Sequence, residues 1–508
     1  MKGRLERLLG PLAPWLLRPG GAASLCAAGW LLLLPLCWGH PLMAALAWGA
    51  AWALLMALRL EAPLLQGLPL PPLTVLLLGL ALRWGLGPLL MAVGGSGDDA
   101  FLSIWIRYGP PAQLLWLVFT AALLAWGLCQ RRSIARAAAS LPSAPWLVAL
   151  REPGQERARR QLAALAVVLS VYMGLYVLLS VLSGAFDRQF AVYASWTRTL
   201  WRLDTPVAAF SRLRDLWLVL LPLWWRLLQT QWRLPLGGLM AAFVGAALLS
   251  GSRGLLFYPA LLVLLGLWFV ISDPRWMWRL GLALAVLVLV LSPAIVLMRE
   301  SPAFESAPDW QARARAAGAV LMRPEPLLQK ARWLGRDLYA CHDPYLFTPE
   351  NRVLPRVGAA GLERLPYLWL PRHLMPQRPV LFDGHLIAKQ LQRIQPSAWS
   401  QVWFPCLSLP ADLFRRWHWP GVVLGSALVA GVVQILMRLW YRQVALPGTS
   451  FQLLLLVYPA SYLQSFPFGT VSETCWALFW ELPKYLLVLW GLGKLVDRWL
   501  DWQRAGRQ

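Results

Sequence analysis

Charge is what this chain has least of. Only 14% of its residues are Asp, Glu, Lys or Arg, against about a quarter in soluble domains. Acids are scarcer than bases, with 24 Asp and Glu facing 47 Lys and Arg. Histidine occurs five times and cysteine six. The cysteines show no CxxC pair and no metal-ligand spacing, which excludes a zinc ribbon or a thioredoxin-type site. There is no Walker loop, GxGxxG, GxSxG or HExxH. ATP-driven transport and the commonest hydrolase and metalloprotease designs therefore have no support. Internal repeats and low-complexity tracts are also missing.

What fills the chain is apolar. Hydrophobic residues make up 58% of it, including 32 Trp. Runs of about 16 to 22 residues carry no charge, which is the signature of membrane spans. The pattern predicts an all-α, polytopic helical membrane protein with about twelve transmembrane helices. They fall near 22–38, 42–59, 72–94, 112–129, 162–184, 215–230, 235–250, 254–272, 277–297, 419–440, 449–465 and 475–495. The tryptophans suit the two membrane–water interfaces. The net charge of +23 reads as cytoplasmic anchoring, so nucleic acid is not an expected partner. The basic N-terminus runs straight into the first apolar run, and no cleaved signal peptide is expected.

The Lys/Arg bias of the short connections sets an orientation. The connection 130–161 holds Arg131, Arg132, Arg136, Arg151, Arg157, Arg159 and Arg160. It falls inside together with Arg275, Arg279, Arg438, Arg442 and the tail from Lys494. Both termini are then cytoplasmic. The acidic Asp98-Asp99 connection falls outside. So do 185–214, the Ser250–Gly254 turn and a loop of about 120 residues, 298–418. The chain divides into 1–297 with about nine spans, the large periplasmic loop 298–418, and 419–508 with three closing spans and a tail.

The long loop carries 16 Lys/Arg against 10 Asp/Glu although it lies outside. Long loops translocate regardless of charge, so this basic surplus points to function. The loop 185–214 has the same character, with Arg198 and Arg202 among aromatics. Arg253 adds a guanidinium at the turn between two spans. Arg is suited to bidentate recognition of phosphate, and a lipid diphosphate is the natural anion at that depth. Within the long loop, Ala303–Arg336 predicts one or two helices and Ala359–Trp369 a short amphipathic one. The prolines between them impose rigid turns. His342, His373, His385 and His418 lie in or beside this loop. A histidine near neutral pKa accepts a proton from a hydroxyl nucleophile. Arginines for a diphosphate leaving group together with such a base are what sugar transfer from a lipid-diphosphate donor requires. Fixed guanidinium groups stabilise the departing charge without metal. No metal site and no cofactor are expected; Asp98-Asp99 reads as solvated.

Four features resemble the Wzy-type O-antigen and exopolysaccharide repeat-unit polymerases, and more loosely the O-antigen ligases. They are Ser252-Arg-Gly254 opening a span and Leu370-Pro-Arg-His-Leu-Met-Pro-Gln-Arg-Pro379 late in the loop. The entry Asp412-Leu-Phe-Arg-Arg-Trp-His-Trp-Pro-Gly-Val-Val-Leu-Gly425 and the layout of three closing spans complete them. Met375 stands where the family often has an aromatic, and Asp412 where it usually has Glu. The resemblance covers roughly 235–495. It implies a GT-C-like membrane glycosyltransferase that extends a glycan on undecaprenyl diphosphate, using another lipid-linked repeat unit as acceptor. It implies that Arg253, Arg372 and Arg378, with Arg198 and Arg202 nearby, grip the diphosphate. A base would come from the long loop: His385 first, then His373 and Glu363, with Arg372 also at the reacting bond. Expected partners are the undecaprenyl diphosphate-linked oligosaccharide, membrane lipids, a chain-length regulator and a flippase. Two other readings stay open: a ligase or other lipid-linked glycosyltransferase, and a non-enzymatic lipid or glycan transporter, to which Arg83, Glu481 and Lys484 would point.

Overall fold

A computed structural model describes residues 41–66, 71–80, 84, 100–141, 146–182, 210, 212–249, 253–271, 279–280, 283, 310–321, 343–349, 357–369, 407–444, 448–459 and 469–505. Among these residues the chain is helical and forms no strand. Three helices are long and apolar enough to cross a membrane, within Arg107–Leu128, Glu156–Leu179 and Leu409–Val444. The chain is thus a membrane-associated helical protein.

The helices are α1 (Pro41–Glu61), α2 (Pro72–Leu80), α3 (Ala100–Leu128), α4 (Arg131–Ala139), α5 (Trp146–Ala149) and α6 (Glu156–Leu182). They continue as α7 (Arg212–Leu227), α8 (Thr230–Leu249), α9 (Arg253–Leu267), α10 (Trp310–Leu321), α11 (Leu409–Val444), α12 (Ser450–Val457), α13 (Val471–Trp476) and α14 (Leu482–Ala505). A π turn, Ala477–Glu481, joins α13 to α14. These helices lie on ten of the twelve expected spans. The first expected span lies outside the described residues, and of the ninth only 279–280 and 283 are described.

Two groups of helices share one core. In the first, α3 packs against α1 and α11, and α2 lies on α1. In the second, α7 packs between α6 and α9, with α8 alongside and α14 against α6 and α12. Lipid gives apolar helices little reason to associate, so contact rests on close fit and polar ties. Gln434 Nε2 donates to Leu123 O at 3.2 Å, and Trp126 Nε1 donates to Ala427 O at 3.1 Å.

Polar contacts between elements gather at the two ends of the helix layer. At one end Glu61 accepts from the Leu73 and Thr74 amides at 3.1 and 2.7 Å, and from the Tyr441 hydroxyl. Its carboxylate caps the exposed donors at the start of α2. Asp497 accepts from Gln161 Nε2 and Ser450 Oγ, both at 2.8 Å. Ser140 Oγ meets Val444 O, and Arg151 meets Arg226 O. At the other end Asp343, Asp412 and Asp215 are the buried acceptors described below.

The helix α11 shows how the long loop re-enters the layer. Thirty-six residues span about 54 Å at 1.5 Å each, far beyond a hydrocarbon core of about 30 Å. A break at Trp417 and His418 divides it. His418 has φ 56° and ψ −154°, a region populated almost only by glycine. The break folds Leu413 back against the following turn. A Cβ at Gly421 would lie 2.8 Å from Leu413 O, and one at Gly425 would lie 2.5 Å from the Leu413 side chain. The two glycines clear the space for that fold.

The short amphipathic helix expected at Ala359–Trp369 is present as a 3-10 helix, Leu362–Trp369; Pro366 inside it supplies no amide. One sequence expectation needs correction. The tryptophans do not all sit at interfaces. Trp84, Trp116, Trp217 and Trp224 are core residues at 2% exposure or less, while Trp225, Trp232, Trp499 and Trp502 are exposed. The helix expected within Ala303–Arg336 is present as α10, Trp310–Leu321.

Candidate functional site

The described parts of the long loop are tied to one end of the helix layer by two buried aspartates. Asp343 accepts from Trp116 Nε1 at 3.2 Å and from the Ser408 amide at 2.9 Å, and also from the Ser408 hydroxyl. It joins a 3-10 turn, Asp343–Phe347, to α3 and to the residue before α11.

Asp412 takes four donors. Its Oδ1 accepts from Arg415 Nε and Nη2 at 3.0 and 2.8 Å, and its Oδ2 from Arg416 Nε and the Val471 amide at 3.0 and 2.9 Å. Arg416 Nη1 continues to Gly358 O and Ala360 O at 2.9 and 2.8 Å. Those carbonyls project from the turn Val357-Gly-Ala-Ala-Gly361. Gly358 and Gly361 have φ of +51° and +86° there, which glycine adopts without strain. Asp412 is thus a buried anchor between α11, the loop and α13.

The start of α13 is fixed a second time by a capping box. Thr470 and Glu473 each accept from the other's amide, as the pattern Thr470-Val-Ser-Glu473 directs. Ten residues on, about 15 Å along the helix, the same chain segment delivers Glu481. Pro483 follows in α14. It has no amide for the carbonyl four residues back and crowds that carbonyl, and the π turn Ala477–Glu481 lies over this position. Turns of this kind recur at functional sites.

Glu481 joins a dense polar group at the starts of α7, α9 and α14. Arg214 grips Asp215 Oδ1 through Nε and Nη2 at 2.9 and 2.7 Å, and its Nη1 donates to the Tyr176 hydroxyl at 3.0 Å. The Tyr258 hydroxyl donates to Asp215 Oδ2 at 3.5 Å. Arg212 lies 3.5 Å from Asp215 Oδ2 and 4.0 Å from Glu481 Oε2, and its amide donates to the Tyr485 hydroxyl at 3.3 Å. Lys484 Nζ stands over the Tyr485 and Phe210 rings at 4.7 and 5.9 Å. Three cations and two carboxylates therefore share a largely buried site, where charge is costly unless it serves a purpose. The arrangement suits an anion rich in oxygen acceptors.

The structure brings some of the sequence candidates to this region. Arg253 is the first residue of α9, the helix that carries Tyr258 and packs on α7. Glu363 lies in the 3-10 helix Leu362–Trp369, which packs on α13. Its side chain is 66% exposed and 3.7 Å from Arg364, so it is a solvated residue beside the tie. Arg198, Arg202, Arg372, His373, Arg378 and His385 lie outside the described residues, as do His342 and the Asp98-Asp99 pair. Among the described residues no cluster of three or more His, Cys, Asp or Glu is arranged to hold a metal. Sequence reasoning passed over Arg214, Asp215, Tyr176 and Tyr258 as a unit. The available signal was an acid immediately after two arginines, Arg212-Leu-Arg-Asp215, at the mouth of an apolar run.

Comparison with known proteins places nothing beside this chain: no family model, no curated protein and no solved structure matches it.

Proposed function

We propose that the chain is a membrane glycosyltransferase that polymerises lipid-linked oligosaccharide repeat units. The observation that supports this reading is the buried group of Arg212, Arg214 and Lys484 against Asp215 and Glu481, about 15 Å of helix below the end of the helix layer where the long loop is tied down. On the twelve-span, GT-C-like topology, that end faces the periplasm of a bacterial inner membrane. A diphosphate headgroup reaches this depth while its polyprenyl tail stays in lipid. The chemistry needs no nucleotide. The acceptor hydroxyl attacks the anomeric carbon, a loop residue takes its proton, and the C–O bond to the diphosphate breaks. His385 is the first choice of base, with His373 behind it and Arg372 at the leaving group. Arginines stabilise the departing oxyanion. Arg253, Arg372 and Arg378, with Arg198 and Arg202, would complete the grip begun by Arg212 and Lys484.

The test is a chain-length ladder. The gene is deleted and restored as wild type, Arg372→Ala or Arg212→Ala, and surface and lipid-linked glycan are run on a gel. Collapse to one repeat unit, reversed by wild type and by neither variant, is the expected result. Full-length polymer held on its lipid carrier would assign a ligase instead. An unchanged ladder in the deletion would remove the glycan reading and leave the transporter.

A further inference from the structure

The cations of the site are not held alike. Arg214 is committed to Asp215 and Tyr176 by hydrogen bonds of 2.7 to 3.0 Å. Arg212 meets its carboxylates at 3.5 and 4.0 Å. Lys484 lies three residues beyond Glu481 on the same helix face. The charge of Glu481 thus stands near one cation of α7 and one of its own chain segment. Like charges held together in a low-dielectric layer repel strongly, and the carboxylate between them relieves that repulsion. Glu481 is also the last residue of the π turn, where the regular α hydrogen-bond ladder is interrupted.

We propose that Glu481 is the resident counter-ion of a diphosphate seat formed by Arg212 and Lys484, and that the diphosphate displaces it. This rests on the lipid-diphosphate reading above and assigns that site its ligand class and its competitor. A diphosphate carries more charge and more acceptor oxygens than one carboxylate and meets a guanidinium through two bonds. Competition by Glu481 sets the affinity low enough for the spent carrier to leave, since any group that occupies the empty site weakens the ligand's apparent binding.

Full-length protein purified in detergent would be titrated with inorganic pyrophosphate by calorimetry. Glu481→Gln keeps the shape and removes the charge; it is expected to bind pyrophosphate about tenfold tighter, the scale of one charge-assisted contact. Arg212→Gln and Lys484→Gln are expected to bind about tenfold weaker. Equal or weaker binding by Glu481→Gln overturns the proposal. Inorganic phosphate and phosphatidylglycerol micelles are run beside pyrophosphate. If either matches it, the site holds an ordinary headgroup and the diphosphate assignment falls. Should Glu481→Gln elute as aggregate, Glu481→Asp withdraws the carboxylate by one methylene, and failure of that variant to tighten binding overturns the proposal equally. The ladder and the titration fail separately. An unchanged ladder with a tightened Glu481→Gln leaves an anion seat without a polymerase. A collapsed ladder with no tightening leaves the polymerase and removes this role of Glu481.

Discussion

Asp412→Ala is the sharpest test of how the long loop is held. The native carboxylate is fully buried and accepts four hydrogen bonds from Arg415, Arg416 and the Val471 amide. Truncation leaves two buried guanidinium groups without the carboxylate they share. Removing one partner of a buried ion pair costs about 3–5 kcal/mol, and the orphaned amide adds about 1 kcal/mol. Arg416 keeps the Gly358 and Ala360 carbonyls, so the expected total sits near the lower bound, about 4 kcal/mol. That is a large part of a stability of about 5–15 kcal/mol. Asp412→Asn retains one acceptor and the shape, and is expected to cost about half as much.

The assay is unfolding of the purified protein from mild detergent into SDS, followed by tryptophan fluorescence. A cycle with Arg416→Met supplies the control. If Asp412 and Arg416 act as one unit, the double variant is less damaged than the sum of the singles by about 1–3 kcal/mol. A loss below about 1 kcal/mol for Asp412→Ala, or strict additivity in the cycle, would refute the reasoning. The loop would then be held by contacts other than this tie.

Three further outcomes follow from the geometry of α11 and its neighbours. Gly425→Leu collides with Leu413 and is expected to cost about 2 kcal/mol in the same SDS titration, the range for overpacking; adding Leu413→Ala recovers at least half, and no recovery would place the clash elsewhere. His418→Gly relieves a backbone conformation that costs about 1–3 kcal/mol for other residues, whereas His418→Val intensifies it, so the glycine variant melts above the valine variant by several degrees. On the proposed topology, Arg364→Cys in a cysteine-free background reacts with a membrane-impermeant maleimide in intact spheroplasts and Arg498→Cys reacts only after permeabilisation; the opposite pattern would invert the orientation.

The fold was the more legible part of this sequence, and the reasons are physical. A membrane span announces itself through length and missing charge, and α3, α6 and α11 lie where that signal is strongest. Ends were harder, because they depend on specific atoms. Pro110 and Pro111 lie inside α3 although a proline pair normally argues for a boundary. Thr449-Ser-Phe-Gln452 and Thr470-Val-Ser-Glu473 are capping boxes written openly in the sequence, and they mark the starts of α12 and α13 to the residue. The tie at Asp412 was not legible. Four donors from three places converge on it, and no spacing rule joins residue 358 to 416 or 412 to 471.

The site divides along the same line. Arginines near an expected outer face pointed to an anion, and Arg212 and Arg214 belonged to that basic stretch. Which of them is spoken for could not be read from composition. Asp215 follows Arg214 directly and is gripped by it through two nitrogens on one oxygen, while Arg212, one helical turn before Asp215, lies 3.5 Å from it and 4.0 Å from a second acid toward the far end of the chain. The two arginines have the same chemistry and different partners. Arg214 builds the wall, and Arg212 faces Glu481 across the helix junction. Substituting them separately therefore tells more than substituting both. Loss of Arg214 removes two hydrogen bonds from Asp215 and one from the Tyr176 hydroxyl and is expected to lower stability. Loss of Arg212 leaves the Arg214–Asp215 pair intact and is expected to lower anion affinity first.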